Sequence, residues 1–418
     1  MSLNVSTRNT VLHALDGLFF CAGLVVLSYQ VTIPQMITEL RDSDLLLGLV
    51  PFIVSLGMVL PQLFHAKAVE GLPYKKRRVL LCALLQRTGW LVFFGSLFIH
   101  WGSPFTLIVF FCVLAVNSLG SGMIIPVWTD WFAKTAPEKI WGKILGIRWT
   151  ASGVLGIALG HFFIRRVMAA FPSPERYQII VGTAIVCYAL SFVSLALVKE
   201  EPEHGLPDQG QTRWLDYFKE LAWILFRRRD FRKFMLASQL AALPIVIMMA
   251  FLTKYGLTYP DVSGEVAGSF TLFFFGASAV GAFVGGSLSD RLGTITPFRV
   301  FPVSAIAAAV VAYTSRDPFT VSVAFSLLGL AFGARIVVLL PAVFRYSGKD
   351  RRPTYTAVSY VFLTLGAALV PPVIGALLEA EVLSYPGMFI FCGVLSASGW
   401  LLFLRLPEPQ PAGASAVE

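Results

Sequence analysis

Two charge types and a set of amides in this sequence could do chemistry, and all of them lie inside long apolar runs. Asp16 is a carboxylate about six residues into the run that opens near Thr10. Arg87, Arg148 and Arg335 are guanidinium groups inside later runs, and Gln30, Gln86, Asn117 and Gln239 are amides in similar surroundings. An ionisable group in hydrocarbon is costly, so it is retained where it pairs, gates or binds something. Asp16 could bind a proton or a substrate cation, or serve as the buried partner of an arginine. Arg87, beside Gln86, could pair with an acid or hold an anionic group, or orient its own helix by packing. Arg148 precedes Gly153, Gly156 and Gly160, a spacing that lets two helices approach closely. Arg335, in GLAFGARIVVLLP, could face a central cavity, act in gating, or extend towards the membrane edge. Asp130, after Pro126 and Trp128, could latch a gate or form a static helix-end pair with Arg148 or a loop arginine.

Other chemistries have little support. No nucleophile–base pair or paired carboxylates stand out, so no enzyme activity is expected. The phosphate-cradling pattern GxxxxGK[ST] is absent, which leaves ATP-driven transport without a signature. His13, His65, His100, His161 and His204 show no metal-ligand spacing. Cys21, Cys82, Cys112, Cys187 and Cys392 all lie in apolar runs without redox spacing and read as packing residues. No cofactor and no metal are expected.

The elements that would position these groups follow from composition. Of 418 residues, 56% are hydrophobic and 14% charged, about half the charge of a typical water-soluble domain. Twelve apolar runs of about 20 residues fit, so the chain reads as all-α and integral to a membrane. Span 1 covers about Thr10 to Ile33, followed by a loop from Pro34 to Asp44. Span 5 ends near Phe163, which leaves Arg165 and Arg166 in a loop, and span 8 ends near Leu288. No cleavable signal peptide is evident. The longest polar interval runs from Lys199 to Lys233. It divides residues 1–198 and 234–405 into two six-helix halves, with 406–418 a disordered tail. Within it, Trp214, Tyr217, Phe218, Leu221, Ile224 and Leu225 recur at helical spacing and predict an amphipathic helix on the membrane surface.

Charge sets the orientation. Of the 33 Lys and Arg, 24 fall on the side of the termini and the linker and six on the other, so the termini are expected in the cytoplasm. The net charge of +9 is therefore a topology signal, and no nucleic-acid partner is expected. The two halves also share a weak repeat: Ile124 to Gly146 and Leu339 to Ser359 each give a proline near a helix end, aromatics, a basic loop and a small-residue-rich helix.

The segment GGSLSDRLG, Gly285 to Gly293, resembles the cytoplasmic loop signature G-x-L-x-D-R-x-G of the major facilitator superfamily through Gly286, Leu288, Asp290, Arg291 and Gly293. It falls between spans 8 and 9, where that superfamily often repeats the signature. The corresponding stretch between spans 2 and 3, Pro61 to Arg78, lacks the expected aspartate and is similar to less-studied bacterial branches. The resemblance implies two pseudo-symmetric six-helix bundles. It implies gating roles for Gly286, Asp290, Arg291 and Gly293. It also implies a monomeric secondary transporter of a small solute in a bacterial inner membrane, in contact with lipids; protons as the coupling ion are a further expectation that rests on Asp16. The alternative is a non-transporting sensory or lipid-interacting protein on the same fold.

Overall fold

The structure is a computed structural model that describes residues 5–69, 72–99, 101–136, 153–202, 219, 223–225, 227–259, 264–347 and 352–408. Among these residues the regular structure is entirely helical. In chain order the helices are α1 (Val5–Val26), α2 (Thr32–Leu40), α3 (Asp44–Val69), α4 (Lys76–Ser96), α5 (Pro104–Thr135), α6 (Gly153–Ala170) and α7 (Glu175–Leu197). They continue with α8 (Arg229–Leu257), α9 (Gly264–Leu292), α10 (Thr296–Thr314), α11 (Pro318–Ser347), α12 (Arg352–Glu379) and α13 (Tyr385–Leu404). All but α2 are long and apolar enough to cross a bilayer, which gives the twelve expected spans. Helices suit that solvent because each satisfies its backbone hydrogen bonds internally. Apolar side chains such as Val92, Phe98, Phe283 and Phe319 stand exposed, which matches hydrocarbon rather than water.

The halves start their fourth helices alike. Ser103 accepts a hydrogen bond from the Thr106 N–H, and Asp317 accepts one from the Thr320 N–H at 2.9 Å. Pro-Phe-Thr follows each cap. A cap, then proline in the first turn where its missing N–H costs nothing, fixes a helix start. Pro126 and Pro341 both fall inside helices, in α5 and α11.

Residue contacts divide the chain into two compact units. Unit 1 comprises Met1–Ser43, Ile53–Gly210 and Ser263–Leu272; unit 2 comprises Asp44–Phe52, Gln211–Val262 and Phe273–Glu418. In unit 1, α1 packs on α7, and α4 packs on both α5 and α7. Val79, Cys82, Ala83, Val127, Trp131, Leu195 and Val198 form a core there. Gly120 lets α5 lie against α4: a Cβ there would stand 2.5 Å from the Gln86 backbone nitrogen. In unit 2, α8 packs on α12 and α13, and α10 on α11 and α13. Phe231, Phe234, Phe298, Tyr355 and Phe403 lie in its core. Gly281 and Gly333 bring α9 and α11 backbone to backbone, since a Cβ at either would collide with the Leu330 or Ser278 carbonyl.

Several expected boundaries move. The first span does not run to Ile33. It stops at Val26, and Thr32–Leu40, expected as part span and part loop, is the buried helix α2. The Ser28 hydroxyl accepts hydrogen bonds from the N–H groups of Val31 and Thr32 at 3.2 and 3.1 Å and so offers the backbone an alternative to continuing α1. Glu39 pins α2 to the start of α7 through Arg176 and Ser173. Arg165 and Arg166 are helical and extend α6 beyond a six-residue π-helical stretch, Leu159–Ile164. Asp290 and Arg291 lie in the last turn of α9, not in a loop, and α8 begins at Arg229 inside the expected linker. Of the expected amphipathic helix, residues 219, 223–225 and 227 are helical, and the remainder lies outside the described residues. Ile224 is wholly buried in the core of unit 2, while Trp223 is half exposed.

Candidate functional site

Unit 1 brings four of the sequence-predicted residues into one chain of polar contacts. Asp16 on α1 is 1% exposed. Its Oδ1 accepts a hydrogen bond from the Ser191 hydroxyl on α7 at 2.6 Å. The Arg87 Nη2 on α4 donates to that same hydroxyl at 2.9 Å and lies 3.8 Å from the Asp16 carboxylate. Arg87 also donates through Nη1 to the Gln86 side-chain oxygen and the Ala83 carbonyl, and its guanidinium lies over the Phe20 ring. A carboxylate and a guanidinium at this range neutralise one another, which lowers the cost of burying either.

The chain continues onto α5. Gln86 donates to the Ser121 hydroxyl at 2.8 Å, and Asn117 donates to the Gln86 backbone carbonyl at 2.6 Å. Tyr29, in the break between α1 and α2, donates to the Asn117 side-chain oxygen at 3.2 Å. Gln30 is buried in the same break. Interrupted helices in membrane transporters place polar backbone and side chains where a solute can meet them. The close approach at Gly120 holds Asn117 and Gln86 in register. Ser191 and Ser121 were not singled out from sequence, because a serine in an apolar run is common and carries no spacing signal.

The other candidates do not join this network. Gln239 on α8 lies against Gly366 of α12, and its amide satisfies its neighbours when oriented with the nitrogen towards the Phe362 and Leu363 carbonyls, 3.2 and 3.3 Å away. Arg335 on α11 lines a cleft in unit 2 together with Ser238 of α8. Arg148 lies outside the described residues. The described partner of Asp130 is Lys75, 2.7 Å away, and the carboxylate is half exposed.

At the motif, Asp290 and Arg291 are exposed, and no hydrogen bond or ion pair joins either. Gly286 meets Val337 of α11. Gly293 adopts φ +99°, a left-handed conformation that disfavours any side chain, beside the Glu408 carboxylate. Glu408, just past α13, accepts from the Ile295 N–H at 2.9 Å, next to the start of α10. Unit 1 repeats the device. Glu200, just past α7, accepts from the Lys75 and Lys76 N–H groups at 2.9 and 2.8 Å at the start of α4, and pairs with Lys134 at 3.0 Å. Each carboxylate satisfies orphan donors at a helix N-terminus and meets its positive end. The signal was present in the sequence as a Glu within two residues of a proline after the sixth and twelfth spans, in EEP and PEP.

Unit 2 holds one more charged cluster that the sequence did not reveal. Asp44, the first residue of α3, lies 3.1 Å from Lys254 of α8 and accepts from the Tyr385 hydroxyl of α13. Glu379 of α12 accepts from the Leu45 N–H at 3.1 Å.

The sequence matches the Major Facilitator Superfamily over residues 16–314 and again over 260–418. No curated protein matches it. Solved structures share the fold. A mutant of the nucleoside transporter NupG is 12% identical, with a TM-score of 0.72 over 96% of this chain and 100% of its own. A D-xylose-proton symporter is 14% identical, with a TM-score of 0.69 over 98% and 99%. A bacterial homologue of the iron transporter ferroportin, inward-facing, is 17% identical, with a TM-score of 0.69 over 97% and 99%. At such identities the likeness shows the fold alone.

Proposed function

This chain belongs to the Major Facilitator Superfamily, and from that membership we propose that it is a secondary active transporter carrying a small solute by alternating access, with the buried network of unit 1 as its ion-responsive element. Membership makes it a multi-pass membrane transporter rather than an enzyme. The finer reading rests on one observation: Asp16, Ser191, Arg87, Gln86 and Asn117 form a continuous polar chain across four helices inside the membrane. Packing alone would be served by apolar residues of the same size. A group that binds a proton in one state and an arginine in another couples ion to solute only if its proton affinity differs between the two states.

Asp16 is proposed as that group. Protonation removes its charge, frees Arg87 from the carboxylate and leaves the Ser191 hydroxyl to re-aim. Two of the structurally similar proteins are proton symporters, for fucose and for D-xylose, which is in keeping with this role. The protein is proposed to work as a monomer in a bacterial inner membrane, with both termini in the cytoplasm, on the excess of Lys and Arg in the loops of that side.

The test is solute-linked proton flux in sealed proteoliposomes, first for a broad tracer panel and then for Asp16→Asn. Tracer movement down an imposed proton gradient, lost in the variant, is the expected outcome. Coupling unchanged in Asp16→Asn removes Asp16 from the mechanism. No movement of any tracer favours a non-transporting sensory or lipid-interacting role.

A further inference from the structure

The two units treat their interior arginines differently. Arg87 in unit 1 has Asp16 and Ser191 within reach. Among the described residues, no carboxylate pairs with Arg335 in unit 2. Every Asp and Glu among the described residues of that unit stands at or beyond a helix end: Asp44, Asp230, Asp290, Asp317, Glu379, Glu381 and Glu408. Arg335 lies twelve residues from the nearer end of α11, roughly 18 Å along the axis. Its Nε is buried with no hydrogen-bond partner, and no ion pair neutralises it.

A second unpartnered group faces the same space. Ser238 is 2% exposed, and its hydroxyl is also without a partner. Other buried helical serines, Ser118, Ser194, Ser322 and Ser359, each return their hydroxyl to the carbonyl four residues back, while Ser396 shares the unpartnered state but does not line this cleft. Arg335 and Ser238 line one cleft between α8, α10 and α11, and the rest of its wall is apolar, including Ile245, Phe298, Phe301 and Val338. The Arg335 Nε and the Ser238 hydroxyl are both shut away from solvent without an acceptor or donor to meet them, which is costly. An anion that accepts from both recovers that cost.

From this juxtaposition we propose that the Arg335–Ser238 cleft binds the carboxylate of a small monocarboxylate whose body is apolar, and that this is the chemical class of the transported solute. The guanidinium carries one positive charge and offers paired N–H donors to a planar carboxylate. A phosphate dianion would leave a second charge uncompensated in apolar surroundings. The apolar wall selects an aliphatic or aromatic body over a sugar. The solute assignment rests on the transport reading above; the binding assignment does not.

The experiment has a binding arm and a flux arm, both on the full-length protein. Thermal unfolding in phosphatidylcholine nanodiscs is followed with acetate, butyrate, benzoate or phenylacetate, with benzamide as the neutral isostere of benzoate. At least one carboxylate raises the wild-type Tm in a saturable way, and benzamide does not. Arg335→Gln weakens that affinity by roughly tenfold or more. Ser238→Ala weakens it by about fivefold. Arg335→Lys, which keeps the charge, retains weaker binding and shows that the site still folds. Labelled carboxylate counterflow in proteoliposomes is then measured.

No Arg335-dependent response to any of the four carboxylates overturns the proposal, and the transport reading survives if other tracers move. Arg335-dependent binding with no flux of any tracer keeps the site and removes the transport reading. Stabilisation by phosphatidylglycerol that depends on Arg335, with no carboxylate response, assigns the site to a lipid headgroup and overturns it.

Discussion

The Asp16 carboxylate and the Arg87 guanidinium stand 3.8 Å apart, and the Ser191 hydroxyl bridges them, donating to the first and accepting from the second. Neither charge is in contact with water to any useful extent, at 1% and 8% exposure. Each therefore lowers the cost of burying the other.

Removing one charge should cost more than removing both. Asp16→Ala and Arg87→Met are each expected to destabilise unit 1 by about 3–5 kcal/mol, because each removes an opposite charge from beside a buried one. The double variant is expected to recover most of that loss in a thermal-unfolding double-mutant cycle. Additive losses would show that the two do not act as a pair.

The post-helical glutamates should behave as a matched set. Glu200→Ala removes a ligand of two backbone donors and of Lys134, and Glu408→Ala removes one of the Ile295 N–H. Losses of about 1–3 kcal/mol are expected for each, with Glu200 the larger. Hydrogen exchange at the starts of α4 and α10 reads this locally, and faster exchange should be confined to the helix whose carboxylate is gone.

Lys254→Met should lower the Tm more than Asp44→Asn. The first leaves the Asp44 carboxylate, itself largely buried, with the Tyr385 hydroxyl in place of a cation. The second retains an acceptor for that hydroxyl. The expected difference is about 1–2 kcal/mol. Equal effects would place Asp44 in water in the working protein.

Arg335→Met is expected to raise the Tm when no anion is present. It replaces a part-buried cation that has no carboxylate partner among the described residues with an apolar side chain of similar length, and a stabilisation of about 1 kcal/mol is expected. A fall in Tm would mean that Arg335 has a partner within the folded chain.

Gly293→Ala tests the motif glycine itself. The residue holds φ +99° beside the Glu408 carboxylate, so an added Cβ meets both backbone strain and a collision at 2.7 Å. A loss of about 1–3 kcal/mol is expected. Gly286→Ala, where a Cβ meets only the Val337 methyl at 3.4 Å, serves as the tolerated control.

The twelve spans and the family were legible in the chain, because twenty apolar residues in a row admit one solution in a bilayer. Asp16, Arg87, Gln86 and Asn117 were legible as candidates for the same reason: a polar atom in an apolar run is conspicuous. Their mutual contacts were not. Asp16 and Ser191 are separated by 175 positions, and nothing in either run encodes which faces of α1 and α7 meet. The break after Val26 was missed because Ser28 ends the helix with a side-chain bond while the hydropathy continues unchanged. The roles of Glu200 and Glu408 were missed because a glutamate past the end of a span reads as solvated until the next helix start is brought against it. The same holds for Arg335 and Arg87. The sequence shows both as charges in hydrocarbon, and only packing decides that one finds an aspartate and the other finds none. Hydropathy is a property of each segment and survives being read alone; pairing is a property of which segments touch, and that exists only once the helices have packed.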